Sequence, residues 1–277
     1  MRVGVLVLHG FGKDTEESIS QVKELGFDNF QLASWDSSLW TDEEAHKILR
    51  CCEKNKIEIS VFWCGWSGPQ HWNLYDGPET LGFVPVTYRY NRFEEFKKGS
   101  DFAKKLGVQD VATHVGFIPE YPHDPNYLSL VPLLREIAIY LKGNGQYFLF
   151  ETGQETPVTL LRTIEDIGMD NLGINLDPAN FIMYGKANPV DAVGILGKYI
   201  RNVHGKDGNY PTNGRELGCE TPIGEGMVDF PRLIQALKQA GYDGPVTIER
   251  EISGEQQIKD IVSSAEMLRS LIGGKAK

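Results

Sequence analysis

The 277-residue sequence predicts a single α/β domain, a (β/α)8 barrel of the TIM type. Three observations carry this. Apolar runs of strand length alternate with amphipathic stretches of helix length from end to end. There are eight such pairs at about 35 residues each, within the usual size of one barrel. Acid or imidazole side chains recur at the downstream ends of four successive strands: Glu151 in YFLFET, Asp177 in LGINLDPAN, His204 in IRNVHGKD and Glu249 in PVTIERE. A doubly wound open sheet is the structural alternative.

The first unit pairs an apolar run at 2–8 with a helix at 14–25, opened by Asp14 and Glu17 at capping-box spacing and closed by Gly26. Strands at 29–34 and 57–64 precede helices at 42–55 and 91–106, the latter closed by Gly107. The fourth and fifth units pair 108–114 with 126–142 and 146–151 with 156–167, where Gly168 follows. The last three pair 172–177 with 189–197, 199–204 with 229–240, and 245–249 with 255–271; Gly241 follows the seventh helix. No stretch reads as an interdomain linker, so residues 1–277 form one domain, and only the GGKAK tail is expected to fray. Two connections, 65–90 and 205–228, are too long for simple turns and leave the same end of the barrel as the four strand-end side chains. They are expected to cover the active site. The first carries Trp66, His71, Trp72, Tyr75, Phe83, Tyr88 and Tyr90, flat surfaces suited to stacking on sugar rings or to packing under the loop.

A net charge of −10 repels polyphosphate, so neither nucleic acid nor an anionic membrane is an expected partner. The apolar stretch Val3 to Leu8 is too short for a secretory signal, and no apolar window reaches membrane-spanning length. Cys51, Cys52, Cys64 and Cys219 lack CxxC spacing and read as reduced thiols, which suggests the cytoplasm.

Alternation within the strands sets the direction of the four strand-end groups. Tyr147, Leu149 and Glu151 share one face, and Asn175 and Asp177 oppose Ile174 and Leu176. Thr247 and Glu249 oppose Val246 and Ile248, while His204 and Lys206 oppose Val203. The polar sets face the lumen. Three carboxylates in one mouth raise each other's pKa unless a cation sits among them, so Glu151, Asp177, His204 and Glu249 are candidate ligands of one divalent metal ion. The absence of thiolate points away from structural zinc and toward Mn²⁺ first, with Co²⁺, Mg²⁺ and Zn²⁺ as alternatives.

On FET at Glu151, LDPAN at Asp177, VHGKD at His204, PIGEGMVDF from Pro222 and GYDGPVTIE ending at Glu249, the sequence resembles the xylose isomerase-like barrels over nearly its whole length. That family includes ketose 3-epimerases, inosose dehydratases, sugar-phosphate isomerases and metal-dependent AP endonucleases. The resemblance implies a metal held by Glu151, Asp177, His204 and Glu249. It also implies catalysis by Glu151 and Glu249 on opposite faces of a substrate carbon, through a metal-stabilised enediolate. A sugar isomerase or epimerase acting on a small sugar or its derivative is the leading expectation. A lyase acting on a keto-inositol or a 3-keto-glycoside is the runner-up, and a non-catalytic sugar-binding protein is the rival from another class. Family members often form dimers or tetramers, and no interface signature is legible here.

Some positions depart from the family pattern. Where ketose 3-epimerases carry a His after the Asp ligand and an Arg after the His ligand, this chain has Asn180 and Tyr210. His114 matches a metal position of the AP endonucleases, but Asn180 stands where a further His is needed, so His114 reads as a substrate contact. Asn180, Trp66, Lys206 and Arg215 are the other candidate substrate contacts. The segment HGFGKDT fails as a phosphate loop because Val7 replaces the first Gly and Asp14 follows Lys13. His9, at the end of the first strand, remains a candidate substrate contact.

Overall fold

A computed structural model describes residues 1–274. The last three residues of the GGKAK tail, expected to fray, lie outside the described residues. Eight parallel strands close into a barrel: β1 (Arg2–His9), β2 (Asn29–Ser34), β3 (Glu58–Cys64), β4 (Asp110–Thr113), β5 (Tyr147–Glu151), β6 (Leu172–Leu176), β7 (Ile200–Gly205) and β10 (Pro245–Ile248). Each pairs with its sequence neighbour, and β10 closes onto β1 through Arg2↔Pro245 and Val5↔Ile248. A pair of two-residue strands, β8 (Asp207–Gly208) and β9 (Glu220–Thr221), lies within the seventh connection.

The outer ring is α1 (Thr15–Glu24), α2 (Asp42–Asn55), α4 (Val86–Lys105), α5 (Pro125–Gly143), α6 (Pro157–Ile167), α8 (Pro189–Leu196), α9 (Phe230–Gln239) and α10 (Glu255–Ile272). Their starts follow local chemistry. Asp14 caps α1 by accepting from Glu17 N–H at 2.9 Å, and Thr41, Asp124, Thr156 and Asp229 cap α2, α5, α6 and α9 in the same manner. Apolar residues facing the strands, such as Ile19, Ile48, Leu134, Leu160, Leu233 and Leu268, are wholly enclosed and form one continuous core between sheet and helices. A second, smaller cluster fills the lumen: Ala33, Val61, Trp63, Leu81, Ala112 and Leu149.

Two elements depart from the sequence-based expectation. Helix α4 starts at Val86 rather than at 91, because Pro85 sits at its N-cap and the Arg89 guanidinium bonds back to the carbonyls of Phe83 and Val84. Tyr88 and Tyr90 are therefore helical, and the loop holds a further short turn, α3 (Gly77–Thr80). Asp177 ends the β6 register and opens a short helix, α7 (Pro178–Met183), with Pro at its first position. The loop after β3 is pinned to the end of β4, where Phe83 N–H donates to Val115 O at 2.7 Å. This approach requires Gly82 and Gly116: both have positive φ, and a Cβ on either would lie 2.1–2.3 Å from the other segment's backbone.

Candidate metal centre

Glu151, Asp177, His204 and Glu249 converge at the carboxyl end of β5, β6, β7 and β10, each offering one ligand atom within 4.8 Å of the others. His204 Nδ1 lies 3.0 Å from Glu249 Oε2, 3.4 Å from Asp177 Oδ2 and 3.6 Å from Glu151 Oε1. Donors to a cation of the Mg²⁺, Mn²⁺ or Zn²⁺ class stand about 2.0–2.3 Å from it, which sets a donor separation of at most about 4.6 Å. The four atoms need to close only slightly to meet that limit, so the residues fit a divalent cation.

Each ligand atom is aimed by a bond on its other side. Asp177 Oδ1 accepts from Asn180 N–H at 2.9 Å as the cap of α7, which turns Oδ2 to the cluster. Glu151 Oε2 accepts from Trp63 Nε1–H and, at 2.9 Å, from Asn175 Nδ2, so Oε1 faces the cluster. His204 Nε2 lies 3.0 Å from Gln31 Oε1, a carbonyl oxygen that can only accept, which assigns the proton to Nε2 and leaves Nδ1 as the donor atom. Asn175 Nδ2 is also 3.0 Å from Nε2, but its donation goes to Glu151. Gln31 is held in turn by Asn202 at 3.1 Å, and Asn202 accepts from Thr247 at 3.2 Å, giving the centre a polar floor.

The electrostatics are those of crowded anions. Burial raises the Glu151 carboxyl above its ordinary range, with Glu249 and Asp177 reinforcing the shift against the pull of His204. Burial also disfavours charge on His204, yet Glu151, Glu249 and Asp177 outweigh it and hold the imidazole well above its usual range. Glu249 is held low because Lys206 and His204 overcome its burial. Lys206 Nζ stands 3.1 Å from Glu249, 3.7 Å from Asp177 and 2.8 Å from Glu251. His204 and Lys206 are thus set among three carboxylates, those of Glu151, Asp177 and Glu249.

The six candidate substrate contacts separate into three groups. His114, Asn180 and Lys206 line the same cavity as Glu151 and Glu249. His114 Nε2 is 3.4 Å from Glu151 Oε1, its Nδ1 lacks a hydrogen-bond partner among the described residues, and burial pushes it down to about 4, so it is neutral. Asn180 Nδ2 reaches Thr152 O at 3.3 Å. Trp66 stands one layer back, tilted against Trp35, Trp63 and Trp72 at centroid distances of 5.3–6.2 Å and covered by the Arg92 guanidinium. The other two are not brought to the centre. His9 follows Val5 and Val7 on the helix-facing side of β1, where its ring spans Ser34 Oγ (2.9 Å) and Glu44 Oε1 (3.1 Å), so it braces α2. Arg215 lies out on the seventh connection, where it stacks on Tyr75 at 4.7 Å and its carbonyl accepts from Leu74 N–H at 2.7 Å. It fastens the two long connections to each other, and Trp72 and Leu217 from those connections line the cavity.

Sequence reasoning missed Gln31, Trp63 and Asn202 as parts of the centre, and Trp35 and Tyr184 as cavity walls. Alternation along β2 and β3 carried the signal for Gln31 and Trp63, which share lumen-facing parity with Ala33 and Val61.

A closed eight-stranded barrel with a carboxylate and imidazole cluster at its carboxyl mouth defines a (β/α)8 protein with a candidate divalent-metal centre. The family described as xylose isomerase-like TIM barrel matches residues 19–271, and the chain belongs to it. A xylose isomerase domain protein from Planctomyces limnophilus is 33% identical, with a TM-score of 0.91 over 99% of this chain and 100% of that one. The Escherichia coli 3-keto-D-glucoside 4-epimerase shares the fold at 17% identity, with a TM-score of 0.72 over 98% of this chain and 99% of that one. An uncharacterised protein of Methanocaldococcus jannaschii is 25% identical over 288 residues, covering 98% of this chain and 89% of that one. Among the described residues no helix is long and apolar enough to cross a membrane.

Proposed function

We propose that the chain is a divalent-metal-dependent sugar isomerase or epimerase that moves a proton on a carbon next to a carbonyl, with Mn²⁺ as the first candidate cation. The observation that carries this reading is the convergence of Glu151, Asp177, His204 and Glu249 at the mouth of a cavity walled by tryptophans. Those four residues would hold the cation. When bound, it supplies Lewis acidity toward a carbonyl and a neighbouring hydroxyl oxygen.

The remaining steps belong to the chain's own groups. Glu151 and Glu249 both border the cavity, and on this reading one removes the proton while the other returns one to the opposite face. At Glu151, Oε1 is the oxygen turned to the cation site, and Oε2 accepts from Trp63 and Asn175. The Lys206 ammonium neutralises negative charge that develops on substrate oxygen, and neutral His114 and Asn180 orient hydroxyl groups. Trp72, over the mouth, stacks on the sugar face and excludes water. The connections at 65–85 and 205–228 act together as the cover.

The test is incubation of the Mn²⁺-loaded protein with a panel of keto-sugars and their glycosides in deuterated water. Isomerised or epimerised sugar carrying deuterium at the reacting carbon supports the reading. An unsaturated or deoxy product instead assigns the same site to a lyase, and absence of exchange across the panel refutes proton transfer altogether.

A further inference from the structure

A second cavity lies beside the one at the metal centre, and Trp35 lines both. Its volume is about 330 Å³, at the small end of the range of about 300–1,000 Å³ for small-molecule sites. Three rings line it. Trp35 is braced against Trp63 and Trp66 at centroid distances of 4.7 and 5.3 Å. Phe11 is 65% exposed and stands at φ +54° between Gly10 and Gly12, both also at positive φ, so the turn after β1 holds an apolar ring at the rim rather than in the core. His9 spends its two ring nitrogens on Ser34 and Glu44 and offers the cavity only ring surface. We infer that this cavity binds a small primary ammonium ion, its charge met by the carboxylates of Asp36 and Glu95 and its carbon body laid against Phe11 and Trp35.

The two carboxylates are half used. Asp36 Oδ1 accepts from Ser38 N–H at 2.9 Å and from its hydroxyl at 2.6 Å, and Glu95 Oε2 accepts from Ser67 N–H at 2.9 Å. Asp36 Oδ2 and Glu95 Oε1 have no hydrogen-bond or ion-pair partner among the described residues. Ser37 and Ser67 border the same cavity and add hydroxyl acceptors. Aromatic faces attract a cation, and an ammonium group with three N–H donors meets these acceptors, whereas a fully methylated one has no N–H to give.

The cations nearby leave the site open. Among the described residues no Lys or Arg lines this cavity. Lys13, two residues past Phe11, lines the metal-centre cavity instead. Arg92 interacts with Glu95 electrostatically, but its N–H groups go to the carbonyls of Ser67, Pro69 and Gly82 and its face lies against Trp66 and Tyr88. It offsets part of the Glu95 charge without pairing with the free oxygen. Asp36 and Glu95 belong to no group of three metal donors among the described residues, so an organic cation suits them better than a bare metal ion. The net charge of −10 draws such a ligand toward the chain.

The test is a ligand-observed NMR titration of the full-length protein with butylamine, charged near neutral pH, and with butan-1-ol, its uncharged counterpart of the same shape. An ion pair to each partly exposed carboxylate and the face of one ring contribute about threefold in affinity apiece, so the wild type is expected to bind the amine about 30-fold more tightly than the alcohol. Asp36→Asn combined with Glu95→Gln keeps the acceptors for Ser38 and Ser67 and removes both charges; the preference should fall to about threefold. Phe11→Ala should lower it to about tenfold. Circular dichroism checks folding, and the single carboxylate variants, each expected to cost about threefold, carry the same test if the double variant does not fold. Equal binding of amine and alcohol by the wild type overturns the site. A preference left intact by the carboxylate variants places the amine at other acids of the chain and overturns it too. A preference unchanged in Phe11→Ala overturns the aromatic wall on which the site is built.

Discussion

Asp207 is the most heavily used acceptor in the seventh connection, which makes Asp207→Asn an informative perturbation. Its enclosed carboxylate takes Gly208 N–H (2.8 Å) and Val228 N–H (3.0 Å) on Oδ1, and Gly224 N–H (2.9 Å) and Gly226 N–H (3.1 Å) on Oδ2. Asparagine keeps one acceptor atom and replaces the other with a donor facing two donors. Hydrogen bonds to a charged acceptor are worth about 1.5–3 kcal/mol each, so losing two costs about 3–6 kcal/mol. In a chain of this size that lowers Tm by about 6–12 °C. The damage should spread along one chain of contacts. The loop carries Glu220, whose carboxylate holds Arg250 and Glu251 N–H, and Glu251 holds Lys206. Thermal unfolding followed by circular dichroism gives the magnitude, and hydrogen exchange reads the amides of Gly224, Gly226 and Val228. A Tm within about 2 °C of wild type, with those amides still protected, refutes the account of Asp207 as the organiser of this loop.

Glu151→Gln and Glu249→Gln are each expected to abolish exchange of substrate protons and to weaken Mn²⁺ binding by calorimetry; near-normal rates in either refute the two-carboxylate mechanism. Chelation should remove activity and added Mn²⁺ should restore it. Gln31→Leu removes the acceptor that fixes His204, so Mn²⁺ affinity should fall by about 10–100-fold with the fold intact, and an unchanged affinity rejects that role. Glu155 is buried with its carboxyl pushed up to about 8 from 4.5, so the folded state favours its protonated form; the stability it contributes is complete below about 4.5 and is lost as pH rises through about 8. Glu155→Gln lacks this titration, so its Tm advantage over wild type should open between pH 5 and 9, bounded by about 4–5 kcal/mol; parallel pH profiles refute the assignment.

How far the site was legible depended on whether a residue's direction followed from its own strand. Glu151, Asp177, His204 and Glu249 sit at strand ends with clear alternation, and the barrel geometry that joins them is fixed by the count of βα units. His9 lay within reach of the same argument, since Val3, Val5 and Val7 share its parity and all three are buried against the helices. Arg215 was not legible, because its neighbours are set by contacts between two loops remote in sequence. Gln31 and Asn202 meet across the lumen from β2 and β7, a pairing that only closure of the sheet creates. The early start of α4 was hidden because its first turn is anchored by Arg89 bonds to the preceding loop rather than by an amphipathic pattern.

The lumen is divided lengthwise. Strands β5, β6, β7 and β10 supply the donors, while β2, β3 and β4 turn Ala33, Val61, Trp63 and Ala112 toward them. A guest between two unlike walls has one orientation that meets both, with its oxygens to one side and its C–H face to the other. Handedness of recognition is therefore set by the barrel halves as units. Drift at Ala33, Val61 or Ala112 can retune which guest fits, whereas Trp63 and Gln31 on the same side are tied to Glu151 and His204.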